Sequence, residues 1–253
     1  MKFYTVEHKH YCGVDLHAKT MYLCIIDAKG TILLHKNIKT EADLFLAAIA
    51  KYRDDLVVAV ECMFTWYWLS DLCSSEGIPF ILGHALYMKA IHGGKAKNDR
   101  IDSHKIATLA LGGMFPLSYV YPPKMRSTRD LLRRRNHLSR KRAALLVHIK
   151  NTFSQYNLPE PEQEVCRKSQ REGVAALFPD PGARSSVRLD LDMLSFYDET
   201  LGALEQELTV IAKGHNADSY FRIRSVPGIG RILGLVILYE IQDMTTSQEV
   251  ADR

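Results

Sequence analysis

The chain of 253 residues contains no run of 18 uninterrupted apolar residues, so nothing in it reads as a membrane span. The first fifteen residues lack the apolar core that a secretory signal carries. Cysteine is scarce and odd in number, and no Cys-x-x-Cys pair offers a zinc site. Cys12, Cys24, Cys62, Cys73 and Cys166 sit inside apolar patterns and read as buried thiols of a reducing cytoplasm. There is no internal repeat and no low-complexity tract. What remains is ordinary globular material, 47% apolar and 25% charged, enough for one large domain or two modest ones.

One local scarcity is more informative. Between Lys124 and Lys150, ten Lys/Arg residues face a single acid, Asp130, a net charge of +9. Against a total of +4, the rest of the chain carries −5. A separation of this kind suggests an acidic-centred domain beside a basic element, as a metal-dependent nucleic-acid enzyme needs.

The first 120 or so residues alternate between strand and helix signals. Tyr11–His17, Met21–Asp27 and Thr31–Ile38 read as strands, the last two joined by the turn Ala28-Lys29-Gly30. Thr40 and the acids after it open a helix, and Leu56–Val60 is a buried-strand run. Thr65–Ser75 reads as a helix, Pro79–Leu82 as a strand and Asp99–Leu111 as a helix. This order, three strands then alternating helix and strand, predicts an α/β fold with an RNase-H-like mixed sheet and flanking helices. Past Pro122-Pro123 the chain turns helical. Arg126–Tyr156 carries Leu131, Leu138 and Leu145 seven apart, and residues 157–184 read as a connection. Leu194, Tyr197, Leu201, Leu204, Leu208 and Ile211 then form a heptad seam, which predicts an antiparallel coiled-coil arm. The expected division is 1–123, 124–215 and 216–253.

Four carboxylates stand out. Asp15 lies on the first predicted strand among Tyr11, Val14 and Leu16, where a buried carboxylate is costly unless paired or metal-bound. Glu61 closes the Leu56–Val60 strand, at the end where open α/β sheets place their ligands. Asp99 and Asp102 lie three apart on one helix face, where like charges repel. Each has a plainer reading: a solvated strand-end acid for the first two, an N-cap and first-turn acid for the others. Together they suit a divalent ion such as Mg²⁺ or Mn²⁺, since hard oxygen ligands leave room for water and phosphate. Two such ions would serve phosphoryl transfer.

The set Gly13-Val14-Asp15, Val60-Glu61 and Lys97-Asn98-Asp99-Arg100-Ile101-Asp102 resembles the DEDD insertion-sequence transposases related to the Piv invertase. Ser225-Val226-Pro227-Gly228-Ile229-Gly230, before an apolar helix, is similar to the opening of their C-terminal domain. The resemblance implies a RuvC-like catalytic domain with Asp15, Glu61, Asp99 and Asp102 as a metal-binding tetrad. It also implies DNA strand exchange guided by a structured RNA. Family members run on into a domain that supplies a nucleophilic serine. The chain therefore reads as C-terminally truncated, and neither Ser225 nor Ser247 lies in the matching context.

The helix after Pro123 bears Arg133-Arg134-Arg135 and Arg140-Lys141-Arg142, seven apart and so on similar faces. They form a candidate phosphate-binding surface, or a solvated charged face. Lys95 and Lys97, in the basic loop before Asp99, either reach nucleic acid or belong to a plain connection. Val226–Gly230 is a plain turn or a phosphate-binding helix-hairpin-helix turn. Phe64, Trp66, Tyr67 and Trp68 are core packing, or a base-stacking platform beside the acids.

The expected function is that of a cytoplasmic DNA transposase, a homo-oligomer (dimer or tetramer) formed through the coiled coil. A stand-alone RNase-H-like junction nuclease and a non-catalytic nucleic-acid-binding remnant are the alternatives.

Overall fold

The computed structural model describes residues 2–91, 98–159 and 165–241. The chain divides into two compact units, Met1–Pro123 and Lys124–Arg253.

The first unit is built on a seven-stranded mixed sheet. In chain order its strands are β1 (Phe3–Tyr4), β2 (His10–Leu16), β3 (Thr20–Asp27), β4 (Ile32–Lys39), β5 (Leu56–Glu61), β6 (Phe80–Gly83) and β7 (Phe115–Ser118). In space they run β1-β7-β6-β5-β2-β3-β4. β2, β3 and β4 form an antiparallel meander, whereas β5 joins both β2 and β6 in parallel. The helices are α1 (Ala42–Ile49), α2 (Tyr67–Ser75), α3 (Ala85–Ile91) and α4 (Asp99–Leu111).

Period-two alternation sorts the strand residues between two cores. Cys12, Val14 and Leu16 of β2, with Val58 and Val60 of β5, pack with Phe45 and Ile49 of α1 and Leu69 and Cys73 of α2. The intervening residues Tyr11, Val57 and Ala59 pack on the other side with Ile106, Ala107 and Ala110 of α4. Central strands buried on both faces account for the near-continuous apolar runs of β2 and β5.

Three elements go beyond the sequence expectation: β1, α3 and β7. β7 contains Pro116, which has no N–H to give a ladder and so masks a strand in sequence. Its pairing is correspondingly short, two residue pairs with β1 and two with β6.

The second unit is helical. α5 (Pro123–Gln155) and α6 (Pro181–Arg224) run antiparallel, since Leu132 near the start of α5 clusters with Leu204, Leu208 and Ala212, while Ile149 and Phe153 cluster with Ala183, Val187 and Leu191. Asn216 breaks α6 with φ −159° and ψ 81°, and its side chain accepts from the Ser219 N–H at 3.0 Å, restarting the helix. A turn with Gly228 at φ +87° leads into α7 (Arg231–Glu240), whose Leu235 and Tyr239 pack beside Tyr220.

The Leu194–Ile211 seam is consumed within the chain. Leu194, Leu201, Leu204 and Leu208 are all buried by the second unit itself. Two arginine–acid bridges flank the seam, Arg135 to Glu205 and Arg142 to Asp198, one heptad apart on each helix. His148 to Asp190, at 2.6 Å, adds a third rung further along.

Candidate active site

The acidic site begins with a glycine. Gly13 lies on the α4 face of β2, and α4 packs so closely there that a Cβ would fall 2.1 Å from the Ser103 carbonyl oxygen and 2.4 Å from the Ala107 nitrogen. Ser103 and Ala107 are fully buried at this crossing. A glycine inside a strand often marks such a close approach. The contact brings the first turn of α4 over the end of β2, two residues beyond Gly13. Asp15 is at that end.

The register aligns the second acid. Tyr11 is level with Val57 and Gly13 with Ala59, on neighbouring parallel strands. Two residues further, Asp15 and Glu61 share the same sheet face and the same strand ends. Asp99 and Asp102 open α4, where acids are favoured by the helix dipole, and Asn98 caps it by accepting the Arg100 N–H at 3.0 Å. His35 of β4 ties this first turn down, bonding the Arg100 carbonyl oxygen at 2.8 Å.

Ligand atoms of Asp15, His17 and Asp99 lie within 4.8 Å of one another. His17 bridges the two carboxylates, its Nε2 3.4 Å from Asp15 Oδ2 and 3.6 Å from Asp99 Oδ1. Asp102 is near enough for its charge to act on Asp15, although it is not in that cluster and pairs with Lys105 at 3.2 Å. Glu61 is also outside the cluster, half-buried at the neighbouring strand end. His17 was not singled out in the sequence. The signal available was its position two residues after Asp15, on the same strand parity.

Electrostatics show what the site wants. Burial pushes the Asp15 carboxyl up from its ordinary range; the charges of Asp99 and Asp102 push it further, and His17 opposes them. Crowded carboxylates of this kind strain against one another unless positive charge is supplied. A hard divalent cation answers that need with the ligand type it prefers, so the residues present fit one. The end of β2 is firmly held for the purpose. The Thr65 hydroxyl donates to the Leu16 carbonyl at 3.1 Å and the Thr40 hydroxyl to the His17 carbonyl at 2.9 Å.

The sequence-selected cations divide into groups. Arg135 bonds Glu205, Arg142 bonds Asp198, and Arg133 bonds Glu240, all within the helical unit. Arg134, Arg140 and Lys141 are exposed and have no ion pair among the described residues. Lys95 and Lys97, like Ser247, lie outside the described residues.

The aromatic run divides as well. Trp66 is buried, stacked with Phe80 and edge-on to Tyr67, while Phe64 is 83% exposed.

An antiparallel three-stranded meander continued by two parallel strands, with helices on both faces, is the sheet of an RNase-H-like domain. The family model of the IS110 DEDD transposases, described as a transposase, matches residues 12–158, and the chain belongs to that family. It is also similar to the transposase for insertion sequence element IS1111A of Coxiella burnetii (strain RSA 493 / Nine Mile phase I), 25% identical over 240 residues that cover 92% of this chain. The chain spans 63% of that relative's length.

Proposed function

We propose that the protein cleaves and exchanges DNA strands as the transposase of an insertion sequence, with Asp15, Glu61, Asp99 and Asp102 as the carboxylates that hold Mg²⁺ or Mn²⁺. One observation carries this reading. Two strand-end acids on one sheet face sit beneath a helix whose first turn carries two more, at a crossing so tight that only glycine fits. Divalent ions bound there would polarise the attacking and leaving oxygens of a phosphodiester. The chain's own residues do the rest. Asp15 and Glu61 fix the ligands on the rigid strands, α4 adds Asp99 and Asp102, and His17 is placed to orient Asp15 or to hold a proton beside it.

Nucleic-acid backbone, including that of a structured guide RNA, is proposed to contact the exposed cations Arg134, Arg140 and Lys141. Self-association is proposed too, through a surface other than the Leu194–Leu208 seam. Leu189, Phe196 and Val210 are exposed on α6 at heptad positions, with Met193 beside them, and form the available apolar stripe.

The test is Asp15→Asn, assayed for metal-dependent strand cleavage and transposition. Loss of both is expected, and undiminished transposition sinks the assignment. Mg²⁺ and branched DNA given to the 253-residue chain test the alternative of a stand-alone junction nuclease, which predicts cleavage selective for the branch.

A further inference from the structure

Immediately after Glu61 the chain leaves the sheet and presents Phe64 to solvent, 83% exposed, with Met63 beside it 49% exposed. Phe64 is the most exposed of the large apolar side chains among the described residues. It forms one wall of an open cavity of about 460 Å³, completed by Tyr67, Trp68, Thr40, Thr65 and His17. That volume falls within the range of small-ligand clefts, about 300–1,000 Å³.

The lining is specific in character. Three aromatic rings supply flat apolar surface, and among the described residues no Lys, Arg, Asp or Glu lines the cavity, so no fixed charge there favours a phosphate. Its polar side chains are His17, Thr40 and Thr65, with the Tyr67 hydroxyl and the Trp68 indole N–H on the aromatic walls. Both threonine hydroxyls already donate to the backbone, at His17 and Leu16, which leaves their oxygens free to accept. His17 is shared: the ring that closes the cavity is the one lying 3.4 Å from Asp15 and 3.6 Å from Asp99. An occupant of the cavity is therefore one side chain away from the carboxylates.

We infer that the cavity is a subsite for an unpaired nucleobase, stacked on Phe64, of the strand whose phosphate lies at the acidic cluster; this rests on the function proposed above. A planar aromatic ligand matches the walls, and every base has a face to stack. A base inside a duplex is already stacked on its neighbours, so the subsite takes a single-stranded or extruded nucleotide. By seating the base, Phe64 positions the sugar-phosphate beside it. It acts on the reacting phosphate through the substrate.

The experiment uses the 253-residue chain and a short single-stranded DNA carrying 2-aminopurine, a base whose fluorescence is quenched by stacking. Binding is expected to quench it. Phe64→Ala should abolish the quenching and weaken binding roughly 10-fold, within the range of one lost base–aromatic stack. Phe64→Tyr should restore both. Because Phe64 is almost fully in solvent, Phe64→Ala should melt at the wild-type temperature, which removes misfolding as an explanation. Unquenched 2-aminopurine with the wild-type chain, or equal quenching by Phe64→Ala, overturns the subsite. Asp15→Asn is expected to keep the quenching and lose strand cleavage. Quenching kept together with full cleavage would instead overturn the catalytic reading and leave the subsite standing.

Discussion

Replacing Gly13 by alanine tests the geometry that assembles the acids. The added methyl would meet Ser103 O at 2.1 Å, Ala107 N at 2.4 Å and Ala107 Cβ at 3.0 Å. None of the three is the end of a flexible side chain: two are helix backbone and one is a methyl fixed to it. Carbon contacts are comfortable at about 3.5–4.0 Å, so α4 has to lift from the sheet by roughly 1 Å or more. Overpacking of this sort costs about 1–3 kcal/mol, a loss that a domain with 5–15 kcal/mol in hand survives folded. Activity should suffer more. Displacing reacting groups by about 1 Å can cost on the order of 100-fold, and Asp99 and Asp102 ride on the displaced helix while Asp15 stays on its strand. Gly13→Ala should therefore melt several degrees lower yet cooperatively, and should cleave DNA about 100-fold more slowly at the Mg²⁺ concentration that just saturates the wild type. Raising Mg²⁺ further should restore part of the rate if the ligands are merely spread. Wild-type melting together with wild-type cleavage would refute the tight crossing as the cause of the site.

Further outcomes follow from the helical unit. Burial opposes ionisation of Asp198, but hydrogen bonds and charge from Arg142 and Arg171 outweigh it and hold the carboxyl below its ordinary range. A depressed folded value means stabilisation present above the unfolded value, near 3.9, and lost as pH falls through the folded one. Helicity followed by circular dichroism should thus show an acid-sensitive component that Asp198→Asn lacks. At neutral pH the same variant should be about 1–3 kcal/mol less stable, because the buried Arg171 loses its carboxylate while keeping its bonds to Val165, Cys166 and Ser195; an equal melting temperature would refute the pairing. Changing Arg134, Arg140 and Lys141 together to glutamine should weaken nucleic-acid binding and lower the salt slope by about 2–3, each phosphate contact being worth about 0.7–0.9. Arg135→Gln and Arg142→Gln should cost stability and leave that slope unchanged.

How far the sequence could be read depends on how local the cause is. α4 spans Asp99–Leu111 as expected, because Asn98 and the first-turn acids mark its start within a few residues. The strand ends bearing Asp15 and Glu61 were legible from apolar runs alone. Their common face was not; it depends on the parallel register between β2 and β5. The arginine triplets show the limit clearly. One-letter spacing suggests a single cationic face, but Arg135 finds its acid 70 residues away and Arg142 finds one 56 residues away. Only the folded hairpin reveals which cations are spent. The same applies to the Leu194–Ile211 seam, whose heptads state that a helix will pack on it without saying whose. His17 escaped notice because a lone histidine carries no spacing signal, and Phe64 could be read only as one of an aromatic run, whose members Trp66 and Tyr67 are packed while Phe64 is not.

The bridges that join α5 to α6 also determine how such an arm can change length over evolutionary time. If the helices slid by one heptad, one bridge would re-form, with Arg135 on Asp198 or Arg142 on Glu205. The other arginine would then face Leu191 or Ala212, both buried against the partner helix. Sliding is thus penalised by burying an unpaired guanidinium, and an insertion in one helix alone has nowhere to go. A seven-residue insertion in each helix on the tip side of the bridges keeps the two helices in register, although the connection's bonds to Arg142 and Asp198 would have to re-form. Helical hairpins of this design can lengthen in steps of about 10 Å, two turns at a time.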